Sequence, residues 1–143
     1  MQITRKIIFH AGHMLKDDES KCYNPHGHEY VLECTVEGEV DKVGAESGMV
    51  MHFGVLKAIM MSQIHDRFDH KFIIEDRDPR LDKFIEAVSD SPCVIVDFPP
   101  TAENLIVHII SIMGVGLLPY DGVRLSKVRL QETSNCWAEW EAL

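Results

Sequence analysis

The stretch CYNPHGHEY, residues 22–30, sets a thiol and two imidazoles on either side of a proline. Such a set is either a polar turn around a buried cysteine or part of a metal site with a nucleophile or base beside it. On a strand, residues i and i+2 share a face. His26 and His28 can therefore offer both imidazoles to one ion if Gly27 lies between them in extended backbone. Catalytic zinc usually takes three protein ligands and keeps one position open, so a third ligand must come from elsewhere. FHAGH, residues 9–13, offers His10 and His13. These differ by three and face opposite ways in extended chain. His13 shares its face with Phe9 and Ala11, the apolar set that looks into a core, and is the expected third ligand, with His10 turned away. An isolated His-x-His pair is also compatible with a solvated or core feature.

Cys22 stands four residues before His26 and beside Lys21. A nearby cation or metal lowers a thiol pKa and makes the thiolate available near neutral pH. Cys22 is then a fourth ligand closing a structural zinc site, or a reactive base beside the ion; the spacing leaves both open. Further on, RFDHKFI places Asp69 beside His70 at a predicted helix end. Neighbours rarely bond in regular structure, but at a turn they can converge, and the carboxylate would then orient the imidazole. The plainer reading is a surface Asp and a His facing a helix C-terminal dipole. In RLQETSN, Glu132 ends an otherwise apolar strand, either as a rim charge or as a carboxylate that holds a guanidine-like ring edge through two parallel hydrogen bonds. Cys34, Cys93 and Cys136 are expected to be small buried hydrophobes.

The elements that must position these groups follow from periodicity. Ile3 to Phe9 is β-branched and apolar enough for a strand. Glu29 to Glu37 alternates, with Tyr30, Leu32, Cys34 and Val36 on one face, as an antiparallel strand with one wet face does. Residues 41–48 form a Gly-rich acidic loop. Phe53, Leu56, Met60 and Ile64 recur at helical spacing over about His52 to Phe68. Residues 75–83 are a charged, Pro-broken connection, and Cys93 to Val96 is a short strand. Thr101 follows Pro99-Pro100 as an N-cap, with Glu103 in the first turn and Gly114 and Gly116 near the end. Val123 to Gln131 and Cys136 to Trp140 read as two strands about a turn. The order is α+β, not a doubly wound sheet. Its long apolar strands have a small core of their own, so oligomerisation that closes the sheet would protect its edges.

The chain has 143 residues, 45% hydrophobic and 26% charged, which is most simply one globular domain over 1–143. Its net charge of −9 argues against nucleic acid and against an anionic membrane surface. No stretch has the pattern of a signal peptide or a spanning helix, and the four cysteines form no C-x-x-C pair. A cytoplasmic protein with reduced thiols is expected.

Taken in order, the motifs resemble a specific family. They are Phe9-x-Ala11-x-His13, Cys22-x3-His26-Gly27-His28, Gly48-Met49-Val50, Asp69-His70, Pro100-Thr101-Ala102-Glu103-Asn104 and Glu132-Thr133. Together they look like the family of 6-pyruvoyltetrahydropterin synthase and 6-carboxytetrahydropterin synthase, over about residues 3–140. The resemblance implies a tunnelling fold: an antiparallel sheet with two helices on one face, joined into a barrel by oligomerisation. It further implies a homohexamer built from two trimers, with active sites between subunits. It implies zinc held by His13, His26 and His28, a catalytic set of Cys22, Asp69 and His70, and Glu132 anchoring the pterin ring, with Thr101 and Glu103 near the pterin pocket.

The implied substrate is 7,8-dihydroneopterin triphosphate. The three-residue gap between Cys22 and His26 resembles the carboxy enzymes of queuosine (7-deazaguanine) biosynthesis, which release triphosphate and acetaldehyde. The alternatives are the pyruvoyl synthase, which eliminates triphosphate and keeps the side chain, and a non-catalytic zinc protein closed by Cys22. Two positions depart from the family pattern. His52 stands where relatives carry Asp or Asn, a better N-cap, and Phe68 replaces Leu before Asp-His.

Overall fold

The computed structural model describes residues 1–88 and 93–143. Its frame is a long ribbon of two strands, β1 (Gln2–His13) and β2 (His26–Glu37), antiparallel and in unbroken register from Gln2 opposite Glu37 to His13 opposite His26. Both strands run four or so residues beyond the strongly patterned segments, so the histidines of both motifs lie on regular strand rather than in a loop. Alternation sends Ile7, Phe9, Ala11 and His13 of β1, with Tyr30, Leu32, Cys34 and Val36 of β2, to the buried face.

On that face packs a helix that starts as α1 (Phe53–Met60), widens into a π-helical segment (Met61–His65) and ends as α2 (Asp66–Phe68). Leu56, Met60, Ile64 and Phe68 are all fully buried at a constant spacing of four residues. A strict 3.6-residue helix would rotate such a row off the core; the wider π turn holds it there. His52 serves as the cap, its Nδ1 accepting from the Gly54 N–H at 2.9 Å, so the imidazole does the work that Asp or Asn does elsewhere. Thr101 caps α4 (Ala102–Leu117) by accepting from the Asn104 N–H at 3.3 Å. Leu105, Ile109 and Met113 of that helix join the same core.

The α+β class is as expected, with α1 and α4 on one face. The sheet is mixed rather than wholly antiparallel. Its order is β4-β3-β1-β2-β5-β6, with β5 (Arg124–Thr133) and β6 (Cys136–Glu141) antiparallel on one side. On the other side β3 (Lys71–Glu75) and β4 (Cys93–Val96) run parallel to β1. Parallel neighbours need a crossover, and part of it is α3 (Leu81–Val88), a helix inside the segment expected to be a plain charged connection. Leu81, Phe84, Ile85 and Val88 carry a helical period that the surrounding charges and Pro79 obscure. Phe84 packs against Phe72 of β3 with the rings tilted and their centroids 4.3 Å apart. Among the described residues no helix is long and apolar enough to cross a membrane.

Candidate active site

The β1–β2 register places His13 directly across from His26, with His28 two residues further along the same face. Ring centroids are 4.4 Å apart for His13 and His26, 5.1 Å for His13 and His28, and 5.1 Å for His26 and His28. One nitrogen from each ring lies within 4.8 Å of the other two. His13 is 3% exposed.

Backbone carbonyls set two of the three tautomers. A carbonyl can only accept, so His13 Nδ1–H donates to the Pro100 carbonyl at 2.7 Å and His26 Nδ1–H donates to the Asn24 carbonyl at 2.8 Å. Each ring is left with an Nε2 lone pair. For His13 that Nε2 is buried and has no hydrogen-bond partner, a costly state for a polar atom unless something else satisfies it. Burial drives the His13 pKa down to about 4, against the Pro100 hydrogen bond and with the help of His26 and His28. Burial also lowers that of His28, opposed by Glu132 and reinforced by His26. One nitrogen from each of three imidazoles gathered in one place is what a divalent zinc ion requires. A carbonyl behind the ligand is the usual way such a ring is aimed. The residues present therefore fit the expected metal.

Glu132 of β5 stands beside this cluster. Its Oε1 accepts from the Tyr30 hydroxyl at 3.3 Å and lies 4.0 Å from His13 Nε2, too far for a hydrogen bond. Tyr30 is fully buried, and burial, then the Glu132 charge, pushes its hydroxyl pKa up, so it stays a donor. Neither Pro100, Asn24 nor Tyr30 was singled out from the sequence. Two of them act through backbone, which carries no residue-type signal, and Tyr30 reads there only as core. Thr101 is committed to its capping bond, and Glu103 is exposed on the first turn of α4.

Cys22 sits half-exposed on a short 3-10 turn, Lys21–Tyr23. The cluster of three imidazoles contains no thiol. Cys34 is buried as expected, its thiol pushed up to about 12 by burial, and Cys93 is half-buried. Cys136 is exposed, contrary to expectation, because it opens β6 at the hairpin opposite Thr133.

Asp69 and His70 do converge at the turn after α2. His70 Nδ1 and Asp69 Oδ2 are 2.7 Å apart. The backbone of His10 secures both, donating its N–H to Asp69 Oδ1 at 2.8 Å and accepting the His70 N–H at 2.7 Å. His70 takes a φ of 56°, a left-handed conformation unfavourable for a residue with a Cβ. Burial raises the Asp69 pKa, but hydrogen bonds from His10 and His70 and the nearby His70 and His65 charges outweigh it and hold the carboxyl below the usual range. The His10 and His70 rings lie 5.9 Å apart. Since His10 alternates with buried Ala11 and His13, the pair belongs to the exposed face of the ribbon, opposite the three imidazoles. A cavity of about 670 Å³ opens at this end of the ribbon, lined by His10, Gly12, His26, His28, Glu29 and His70 among others, so it borders the pair and two of the three imidazoles alike.

Comparison with known proteins identifies the family and the fold. The sequence model of the family described as 6-pyruvoyl tetrahydropterin synthase matches residues 2–142. A Rickettsia bellii protein named 6-carboxy-5,6,7,8-tetrahydropterin synthase is 32% identical over 139 residues, covering 97% of this chain and 99% of its own. A crystal structure of an uncharacterized Wolinella succinogenes protein superposes with a TM-score of 0.80 at 22% identity, over 99% of this chain and 97% of that one. The Caenorhabditis elegans 6-pyruvoyl tetrahydropterin synthase structure superposes with a TM-score of 0.71 at 25% identity, over 100% and 96%.

Proposed function

This chain belongs to the 6-pyruvoyl tetrahydropterin synthase family, and on that premise we propose that it is a zinc-dependent 6-carboxy-5,6,7,8-tetrahydropterin synthase. The substrate is 7,8-dihydroneopterin triphosphate, and the products are 6-carboxytetrahydropterin, triphosphate and acetaldehyde, in the cytoplasmic route to queuosine and other 7-deazaguanines. The observation that carries this reading is the trio of clustered imidazoles, with His13 Nε2 buried and unsatisfied beside the Glu132 carboxylate. The Rickettsia bellii relative's name and the three-residue gap between Cys22 and His26 favour the carboxy product.

His13, His26 and His28 would hold the zinc, which when bound supplies Lewis-acid polarisation of a side-chain hydroxyl. Glu132 grips the guanidine-like N2/N3 edge of the pterin by parallel hydrogen bonds. Its Oε1 is steadied by Tyr30, which keeps the carboxylate from rotating. Cys22 as thiolate removes the proton from the adjacent side-chain carbon. His70, oriented by Asp69, relays protons on the opposite side. Strand alternation turns the buried His13 away from the Asp69–His70 pair, while His26, His28 and His70 border one cavity; the complete site is read as drawing on more than one copy, as the family resemblance implies. A homohexamer made of two trimers, its barrel joined through the outer strands β4 and β6, meets that need.

The Caenorhabditis elegans neighbour is named a pyruvoyl synthase, so product identity is the test. Zinc-loaded protein is given fresh 7,8-dihydroneopterin triphosphate and the products are read by mass spectrometry. The expected result is a carboxy-pterin with one acetaldehyde per turnover. A pyruvoyl-pterin makes the runner-up correct, and zinc binding without turnover sinks the enzymatic reading.

A further inference from the structure

The loop that carries Cys22 runs between β1 and β2, and little of it is buried. Its own bonds are local: Cys22 N–H to Ser20 Oγ at 3.2 Å, and Leu15 N–H to the Cys22 carbonyl at 2.9 Å. Local bonds of this kind leave a loop free to shift as a body. Two further ties reach it from the end of β3 and the segment that follows, and they bracket the thiol.

The first tie is before Cys22. Lys16 Nζ lies 3.1 Å from Glu75 Oε1, a carboxylate only 3% exposed at the end of β3. The second is after it. Arg80 donates through Nη1 to the Tyr23 carbonyl, and its guanidinium stands 4.1 Å over the centre of the Tyr23 ring. That guanidinium is itself held as a fork: Nε to Asp78 Oδ1 at 2.8 Å and Nη2 to Asp78 Oδ2 at 2.6 Å, on a carboxylate with no exposed surface. The Arg80 N–H adds a third bond to Asp78 Oδ1 at 2.9 Å. All three guanidinium nitrogens are engaged, two on a buried carboxylate and one on the loop. A rigid planar fork of this kind fixes direction as well as distance.

None of these groups touches the triad or the Asp69–His70 pair, and the proposed mechanism uses none of them. Their placement is still systematic. Tyr23 follows Cys22 directly, and the next carbonyl, that of Asn24, sets the His26 tautomer. β3 begins one residue after His70 and ends at Glu75, so one continuous segment secures the acid–base pair at its start and the thiol loop beyond its end.

We propose that Arg80, locked by Asp78, is a positioning residue for Cys22, and that with Lys16–Glu75 it forms a brace which fixes where the thiol stands relative to the bound substrate. The proposal rests on Cys22 as the proton-moving group. Displacing such a group by about 1 Å is enough to lose roughly 100-fold in rate.

The test uses full-length zinc-loaded protein in two variants. Arg80→Lys keeps the charge that neutralises buried Asp78 but loses the fork. Asp78→Asn with Arg80→Gln removes both charges together. Three quantities are read: kcat and KM, bound zinc, and the rate at which iodoacetamide alkylates the Cys22 peptide. The expected result is kcat down by about 100-fold with KM and zinc unchanged and the Cys22 alkylation rate shifted at least about threefold from the parent. Unchanged kcat with an unchanged alkylation rate overturns the brace. So does a fall in kcat that tracks zinc loss, or one in which alkylation does not move. Cys22→Ser in the parent separates the two layers. Full activity there defeats the catalytic reading of Cys22, while alkylation in Arg80→Lys still reports whether Arg80 places the thiol.

Discussion

The two faces of the β1–β2 ribbon carry the same residue type under opposite conditions. On the covered face, His13, His26 and His28 sit on regular strand, and two of them are aimed by backbone carbonyls. On the open face, His70 is 80% exposed, sits at a positive φ and owes its orientation to one carboxylate and the backbone of His10. A ligand for the proposed zinc must be held still, and a place on regular strand provides that. The proton carrier proposed at His70 must reach water or substrate and exchange protons, and an exposed turn provides that at the cost of backbone strain. The same side chain is thus set in two different environments, one by the alternation of a strand and the other by a turn.

Replacing one histidine on each face gives the largest contrast. His13→Ala should abolish zinc binding and all activity, because it removes a ligand and leaves the Pro100 carbonyl without its donor. His10→Ala should retain full zinc, since its side chain faces away from the three imidazoles and the hydrogen bonds to Asp69 and His70 come from its backbone. Metal analysis of the two purified proteins checks this, and equal zinc loss in both would erase the distinction between the faces. Next in size, Cys22→Ala should keep its zinc and lose roughly 10²–10⁴-fold in kcat, the span ordinarily lost with a positioned acid or base. A folded but metal-free Cys22→Ala would make the thiol a ligand and the site a closed one.

Asp69→Asn should act less on stability than on rate. It preserves shape but removes the charge that orients His70, so kcat should fall by about 10²-fold with zinc intact. Its signature at low pH is separate. The folded Asp69 titrates below the unfolded value of 3.8, so its contribution to stability is present above that value and is lost as pH falls through the lower, folded one. Acid titration of melting temperature should show that loss in the parent and not in Asp69→Asn.

How much of this could be read from sequence follows from where each signal lives. The triad was legible because period-two alternation assigns faces without tertiary knowledge, and that alone separated His13 from His10. The Asp69–His70 contact was legible as a turn effect. The carbonyls of Pro100 and Asn24 were not, since every residue has one. β3, five residues of KFIIE without alternation, gave no period to detect, and α3 was masked by the charges and proline around it. The Asp78–Arg80 fork joins residues 57 positions from Tyr23, and nothing in a surface-like EDRDPR run announces a buried carboxylate. Cys136 was misassigned because composition puts cysteines inside, while its hairpin puts it outside.

The smallest effect is the sharpest test of why the faces differ. If His70 is kept at φ 56° for chemistry rather than for folding, removing its side chain should barely matter to stability. Glycine at that position relieves about 1 kcal/mol of left-handed strain. Against this, it adds unfolded-chain entropy of about 0.5–1 kcal/mol and deletes an exposed hydrogen bond worth about 1 kcal/mol or less. The terms nearly cancel, so His70→Gly should unfold within about 1 kcal/mol of the parent in denaturant titration while losing activity. On the covered face, metal-free His13→Ala strands the buried Pro100 carbonyl and empties the space of the ring, and only the unpartnered Nε2 of the parent is relieved in return; it should lose about 1–3 kcal/mol even with no zinc in either protein. If His70→Gly were the more damaging of the two, the exposed turn would be a structural element, and its strained histidine would need no catalytic explanation.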